Sequence, residues 1–377
     1  MGREFMPGLD LARLFYTEIV RPLLDAEFPG LTYSAALIGW GSDVLGYDSL
    51  RSTDHNWGPR LQVLLDDEAG APDRADAITA MLAARLPAQF RGYPTIFAIA
   101  DVPGAVPAHW VEVAGLRDWL TCALGFDPTR PIQLIDWLAT PTQILAEVTG
   151  GAVFHDGLPA VADHASDSGD EPPGALATVR RAVAWYPDDL WRYVLACQWQ
   201  RISQEEPFPG RCAEAGDDLG SAVVAARLAR DLMRLVLLME RRYPPYSKWL
   251  GTAFARTRTG AAMLAPLTAA VASSSWPERE RSLCAAYEIA ASRHNELGLT
   301  AALDPAVRPR FHSRPYRVLE AERFAAALRG RIGDAELRAL PPIGAVDQFV
   351  DSTDAVGNRA ILRAAVTAEL DQASSRT

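Results

Sequence analysis

Apolar and polar positions divide the chain into two regimes. Up to residue 162, short apolar runs alternate with stretches of helical spacing. Residues 33–40 (YSAALIGW) form a compact apolar run closed by glycine, which predicts a buried strand. Residues 59–65 form a second run, and that strand is expected to reach back to Asp54. A third strand is predicted over 95–100. A fourth is predicted over 110–114 (WVEVA), where alternation sets Glu112 on the face opposite Val111 and Val113. Recurrence every three to four residues predicts helices over 11–26, with Pro22 as a break point, and over 74–86, 116–125 and 140–149. A short helix is expected over 43–50.

Residues 163–174 (DHASDSGDEPPG) are acidic and rich in Ser, Gly and Pro, the composition of an exposed loop or linker. Strand signals stop beyond it. Helices are predicted over 176–205, 219–243, 247–272, 278–297, 318–329 and 359–373. The expectation is an α+β chain with no internal repeat: a mixed-sheet domain over 1–162, a linker over 163–175 and an all-helical domain over 176–377.

Composition narrows the function. The 377 residues are 49% apolar, enough for two ordinary cores. A formal charge of −10 argues against general duplex binding, which needs a basic excess, but leaves room for one basic pocket. The longest apolar stretch, 223–239, carries Arg227, Arg230, Asp231 and Arg234, so it reads as a packed helix and no membrane span is expected. No signal peptide is read, and MGREF before Met6 reads as an added leader. Cys122, Cys197, Cys212 and Cys284 are scattered, which fits a reducing cytoplasm and no zinc site. The chain has 36 Arg and one Lys, Lys248, a bias that a GC-rich genome would produce. A position that keeps Lys against this bias is a candidate for a compact ammonium.

Candidate chemistry gathers in LIGWGSDVLGYDSLRSTDHNWGPRLQVLLDDE. Gly41 lets backbone approach a phosphate, and Ser42 offers a hydroxyl and N–H groups to phosphate oxygens. Asp54 is a hard oxygen ligand for magnesium. With Asn56 two residues on, both would face one side of an extended strand, leaving His55 and Trp57 on the other for packing. Glu112 could complete a carboxylate cluster if its strand lies alongside. Trp57-Gly58-Pro59 reads as structural.

GSDVLGYD followed by STDHNWGPR resembles the nucleotidyltransferase-superfamily pattern of Gly-Ser and a spaced Asp-x-Asp. It also resembles the bacterial family described as domain of unknown function 4037. The likeness continues through YPDDLWRYVLACQWQRISQEEPFPGR, RRYPPYSKWLGTAF, FHSRPYRVLEAERF and IGAVDQFVDSTD. The resemblance implies a nucleotidyltransferase-like mixed sheet followed by a helical domain, with the nucleotide between them. It also implies Gly41 and Ser42 at the triphosphate, Asp54 at the metal, and Glu112 where a third carboxylate is usual. Asn56 stands where a second aspartate is usual, and an uncharged amide there should weaken metal binding or slow turnover.

The helical region adds candidates. In YPPYSKW, the prolines close one helix and Ser247 is expected to cap the next, which puts Lys248 in its first turn. A cation there gains nothing from the helix dipole, so a bound phosphate would explain it. Tyr246 beside it is a second nucleotide-binding candidate. Glu205 and Glu206, ending a long helix, could serve as general base or as solvated charges. Arg211, Asp217 and Asp218 read as an ion-pair network around a turn, and the acidic run 347–354 reads as a loop.

The expected activity is magnesium-dependent transfer of AMP from ATP to a hydroxyl of a small-molecule acceptor. Two alternatives stay open: a nucleotide-binding or protein-interaction module that has lost its chemistry, and an enzyme that modifies a protein or a tRNA end.

Overall fold

The computed structural model describes residues 5–67, 70–98, 104–159, 174–309 and 312–374. Most of the linker predicted over 163–175 lies outside these residues, as do 99 and 100 of the third predicted strand. By internal contacts the chain divides into two units. One comprises residues up to Asp136 together with Ile144–Ala184, and the other comprises Trp137–Gln143 together with Trp185 onward.

The first unit is built on a mixed sheet. Its strands are β1 (Tyr33–Leu37), β2 (Arg60–Leu65), β5 (Ile96–Phe97), β6 (Ala108–Gly115) and β7 (Ala152–Asp156), in the order β5-β6-β2-β1-β7. A separate two-residue hairpin pairs β3 (Gln89–Phe90) with β4 (Tyr93–Pro94). β2 runs antiparallel to β1 and parallel to β6, while β7 pairs antiparallel with β1. Every residue of β1 and β2 is buried, as expected of central strands covered on both faces.

Alternation along β2 sorts its side chains. Leu61, Val63 and Leu65 face a core with Ala35, Val111 and the helical residues Leu11, Phe15, Val20, Ile78 and Leu82. Arg60, Gln62 and Leu64 therefore face the other way. Parallel pairing sets Gln62 beside Glu112, so Glu112 shares that second face.

Several local expectations are corrected. The helix predicted over 11–26 runs as Gly8–Phe15 and Arg21–Glu27, joined by a π turn at Tyr16–Val20. Pro22 has no N–H to continue the ladder, and the Arg21 N–H reaches back to Tyr16 O. Residues 43–50 form turns and no helix, because Gly46 takes φ +68° and Asp48 turns away to accept the Gly8 N–H and the Trp57 indole N–H. β2 does not reach back to Asp54: Leu50–Asp54 is a 3-10 turn and the strand begins at Arg60. The Ala152–Asp156 strand was not anticipated. Phe5, read as part of a leader, packs on Trp57 with ring centroids 6.0 Å apart.

The second unit is helical. Pro187 splits the long run predicted over 176–205 into Ala175–Ala182, which belongs to the first unit, and Asp188–Glu205. Thr257 splits another by capping Arg258–Ala272, its Oγ1 accepting from Gly260 N at 2.8 Å. Further long helices are Asp218–Met239 and Trp276–Glu296. Trp199 stacks on Phe324 at 4.7 Å and donates its indole N–H to His294 Nδ1 at 3.2 Å. Extended pairing among the described residues here is limited to one bridge, Arg308 with Val318. No helix among the described residues is long and apolar enough to cross a membrane.

Candidate functional site

β1 gives out at Leu37, and the chain turns through Gly39 and Gly41, both at positive φ. A Cβ added at Gly41 would overlap the Arg60 guanidinium and the Asp43 carboxylate, so only glycine fits there. Asp43 is buried and spends one carboxylate oxygen on its neighbour's amide, Val44 N, at 3.0 Å. The amides of Gly41 and Ser42 and the Ser42 hydroxyl carry no hydrogen bond among the described residues. Two successive open amides beside a hydroxyl are donors of the kind that phosphate oxygens accept from. The expected helix start behind this turn is absent, so no helix dipole adds to it.

Gln62 ties the turn to β6. Its Oε1 accepts the Ile38 N–H at 3.0 Å, and its Nε2 lies 3.5 Å from Glu112 Oε2. Glu112 is exposed on the sheet face it shares with Arg60 and Gln62, opposite Val111 and Val113 as the alternation predicts.

Asp54 and Asn56 are placed otherwise than the spacing suggested. Asp54 ends the 3-10 turn, and its Oδ1 lies 2.6 Å from His55 Nδ1, with both side chains more than half exposed. His55 thus partners Asp54 and does not pack on an opposite face. Asn56 takes φ +48°, a left-handed conformation that Asn tolerates, in a bend just ahead of Trp57. Asp54 and Asn56 are therefore not neighbours on one strand face. Trp57 is buried against Tyr93, with centroids 4.9 Å apart, which bears out its structural reading.

The oxygen donors Asp54, Asn56 and Glu112 suit magnesium chemically, but they do not fit a ready-made site. Among the described residues, no group of three His, Cys, Asp or Glu side chains could hold a metal ion.

In the helical unit, Glu206 is not a solvent-facing base. It is buried, and its oxygens accept the N–H groups of Leu319 at 2.6 Å and Ala321 at 2.9 Å. Burial pushes its carboxyl up to about 7 against those two lowering hydrogen bonds. Glu205 pairs with Arg227 at 3.1 Å. Tyr246, not Ser247, is the residue preceding the helix Ser247–Ala255, and its N–H is taken by Gln143 Oε1 at 2.8 Å. Lys248 sits in the first turn as expected, exposed, with its ammonium 5.0 Å from the Trp249 ring centroid. Asp217 caps the helix Asp218–Met239 through Gly220 N. In the acidic run, Asp347 accepts Thr142 N and Asp351 pairs with Arg230, which are structural roles.

Residues 137–250 match the family described as "Domain of unknown function (DUF4037)". The matched stretch contains Glu205, Glu206, Tyr246 and Lys248. Gly41–Ser42, Asp54–Asn56 and Glu112 lie outside it. No curated protein and no solved structure matches the chain.

Arg60 is the residue that sequence reasoning missed. It lies in the quoted WGPR motif, yet one arginine among 36 gave no signal. Its position at the start of a fully buried, largely apolar strand was the available clue, since a cation there must find a buried partner.

Proposed function

We propose that the mixed-sheet unit binds the polyphosphate of a nucleoside triphosphate at the Gly41–Ser42 turn and that the protein is a nucleotidyltransferase with a nucleotidyltransferase-like sheet. It passes AMP from ATP to a hydroxyl of a small-molecule acceptor. The observation that carries this reading is the turn itself, with two open amides and a hydroxyl at a Gly41 backbone against which Arg60 and Asp43 are packed. Glu112, exposed and linked through Gln62 to the chain leading into the turn, serves as the base. The acceptor oxygen forms a bond to the α-phosphorus and the bond from that phosphorus to the bridging oxygen breaks. Pyrophosphate leaves with the bonding pair, and the hydroxyl proton passes to the Glu112 carboxylate. Magnesium is the expected companion of the triphosphate. Asp54 or Glu112 would meet it singly.

A second reading, nucleotide binding without transfer, is favoured by Asn56 in left-handed backbone and by the dispersal of the carboxylates. Calorimetric titration with ATP, with and without magnesium, combined with a pyrophosphate-release assay on labelled ATP and a cell lysate, separates the readings. Label in the small-molecule fraction with pyrophosphate release supports transfer. Binding without release supports the module. Label in protein or tRNA moves the acceptor to a macromolecule. Absence of ATP binding removes both nucleotide readings.

A further inference from the structure

Trp40, the residue immediately before the open amides, is half exposed at 50% although its side chain is large and mostly apolar. Its ring is held nonetheless. The Arg60 guanidinium carbon lies over one face, 4.4 Å from the ring centroid, and Arg60 is itself fixed by Asp43 at 2.6 Å and by the Trp40 carbonyl at 2.8 Å. Trp110 meets the ring in an edge-on arrangement at 5.6 Å and 69°. Trp110 is fixed in turn, packed on Phe97 at 4.2 Å and donating its indole N–H to Phe97 O at 3.1 Å. Beside these contacts half of the Trp40 surface stays open to solvent.

A rigid indole left half in water forgoes part of the stabilisation that burial of a large apolar side chain supplies. Its pre-organisation lowers the entropic cost of stacking another ring on it. A cation on one face also draws π density toward itself, which suits the other face to an electron-rich ring.

We infer that the exposed surface of Trp40 stacks the base of the nucleoside triphosphate whose phosphates engage Gly41 and Ser42. This rests on the triphosphate reading of the turn. Adjacency selects the occupant: consecutive Cα atoms are about 3.8 Å apart, so a ring on Trp40 and a phosphate on the next two amides fall within one folded nucleotide. Stacking on an aromatic side chain reads the flat face of a base and not its edges, so the platform accepts purines by area and discriminates weakly among them.

The test compares ATP with inorganic tripolyphosphate by calorimetric titration of the full chain, for wild type, Trp40→Ala and Trp40→Phe. Melting curves check that both variants remain folded. The expected result is a loss of roughly 5- to 100-fold in ATP affinity for Trp40→Ala, tripolyphosphate affinity unchanged within about twofold, and recovery of most of the ATP affinity in Trp40→Phe. Unchanged ATP affinity in Trp40→Ala overturns the stack and leaves the phosphate site standing. Equal losses for ATP and tripolyphosphate also overturn it, since Trp40 would then only shape the turn. Wild-type protein that binds neither compound overturns the stack together with the reading beneath it.

Discussion

Arg60 holds Asp43 at two points, Nη2 to Oδ1 at 2.6 Å and Nε to Oδ2 at 3.3 Å, with the two side chains only 4% and 2% exposed. The same guanidinium donates to the Trp40 carbonyl. A buried cation anchored on both sides of Gly41 and Ser42 fixes the shape of the turn before any ligand arrives. The pair also neutralises itself, so its contribution to anion binding is geometric and not a net positive charge.

Removing Asp43 leaves the Arg60 charge buried and short of acceptors. Asp43→Ala should therefore lose about 3–5 kcal/mol of stability, read from urea unfolding of the chain. Combining it with Arg60→Met should recover part of that loss, because no unpaired charge remains. A double variant no more stable than Asp43→Ala would show that the pair is not the anchor of the turn.

Gly41→Ala places a methyl group into Arg60 and Asp43 at a φ of +135°. It should cost at least about 1–3 kcal/mol in strain and reduce triphosphate binding at least tenfold while the fold persists. Wild-type affinity in this variant, measured by titration with ATP, would take the turn out of the phosphate site.

The two carboxylates separate by their readouts. Glu112→Gln should lower pyrophosphate release by roughly 10²–10⁴-fold if Glu112 takes the acceptor proton, with ATP affinity little changed. Asp54→Ala should abolish magnesium-dependent binding or turnover without unfolding the unit, since its side chain is more than half exposed and pairs with the similarly exposed His55. Full activity in Asp54→Ala would remove it from the mechanism.

Glu206 predicts a pH dependence with a defined sign. Its carboxyl is pushed up to about 7 from an ordinary 4.5, so the folded chain holds this proton more tightly than the unfolded chain does. The stabilising contribution is complete below about pH 4.5 and is lost as pH rises through about 7. Its slope is at most about 1.4 kcal/mol per pH unit. His294 acts oppositely: burial lowers it to about 4 from 6.5, so its contribution is present above pH 6.5 and is lost as pH falls through about 4. Denaturation of Glu206→Gln and His294→Gln between pH 4 and 8 should remove these two dependences separately. A Glu206→Gln curve parallel to wild type would contradict the first assignment.

Period was legible in the sequence, but curvature of the chain was not. The alternation of WVEVA placed Glu112 on the correct face, because a strand fixes side-chain direction by its pleat. Asp54 and Asn56 were misplaced because extended geometry was carried too far upstream. Ser49 and Ser52 cap each other in a tight turn there, and Asn56 supplies a bend that a polar pattern does not reveal. Glu206 was read as exposed because its partners, the amides of Leu319 and Ala321, lie more than a hundred residues away. Pairing of that kind leaves no local signature. Arg60 escaped notice for the same reason, since its value lies in a contact with Asp43 across a turn.

β7 closes the free side of β1 from across 122 residues, with Ser34 opposite Asp156 and their side chains hydrogen-bonded at 2.6 Å. Until Asp156 has left the ribosome, β1 remains an edge of unpaired N–H and C=O groups between mostly apolar side chains, a template for sticking to another nascent chain. Expression fragments that stop short of this strand should therefore precipitate even if every residue of the phosphate turn is present. Trimming for crystallisation or assay should begin downstream of it.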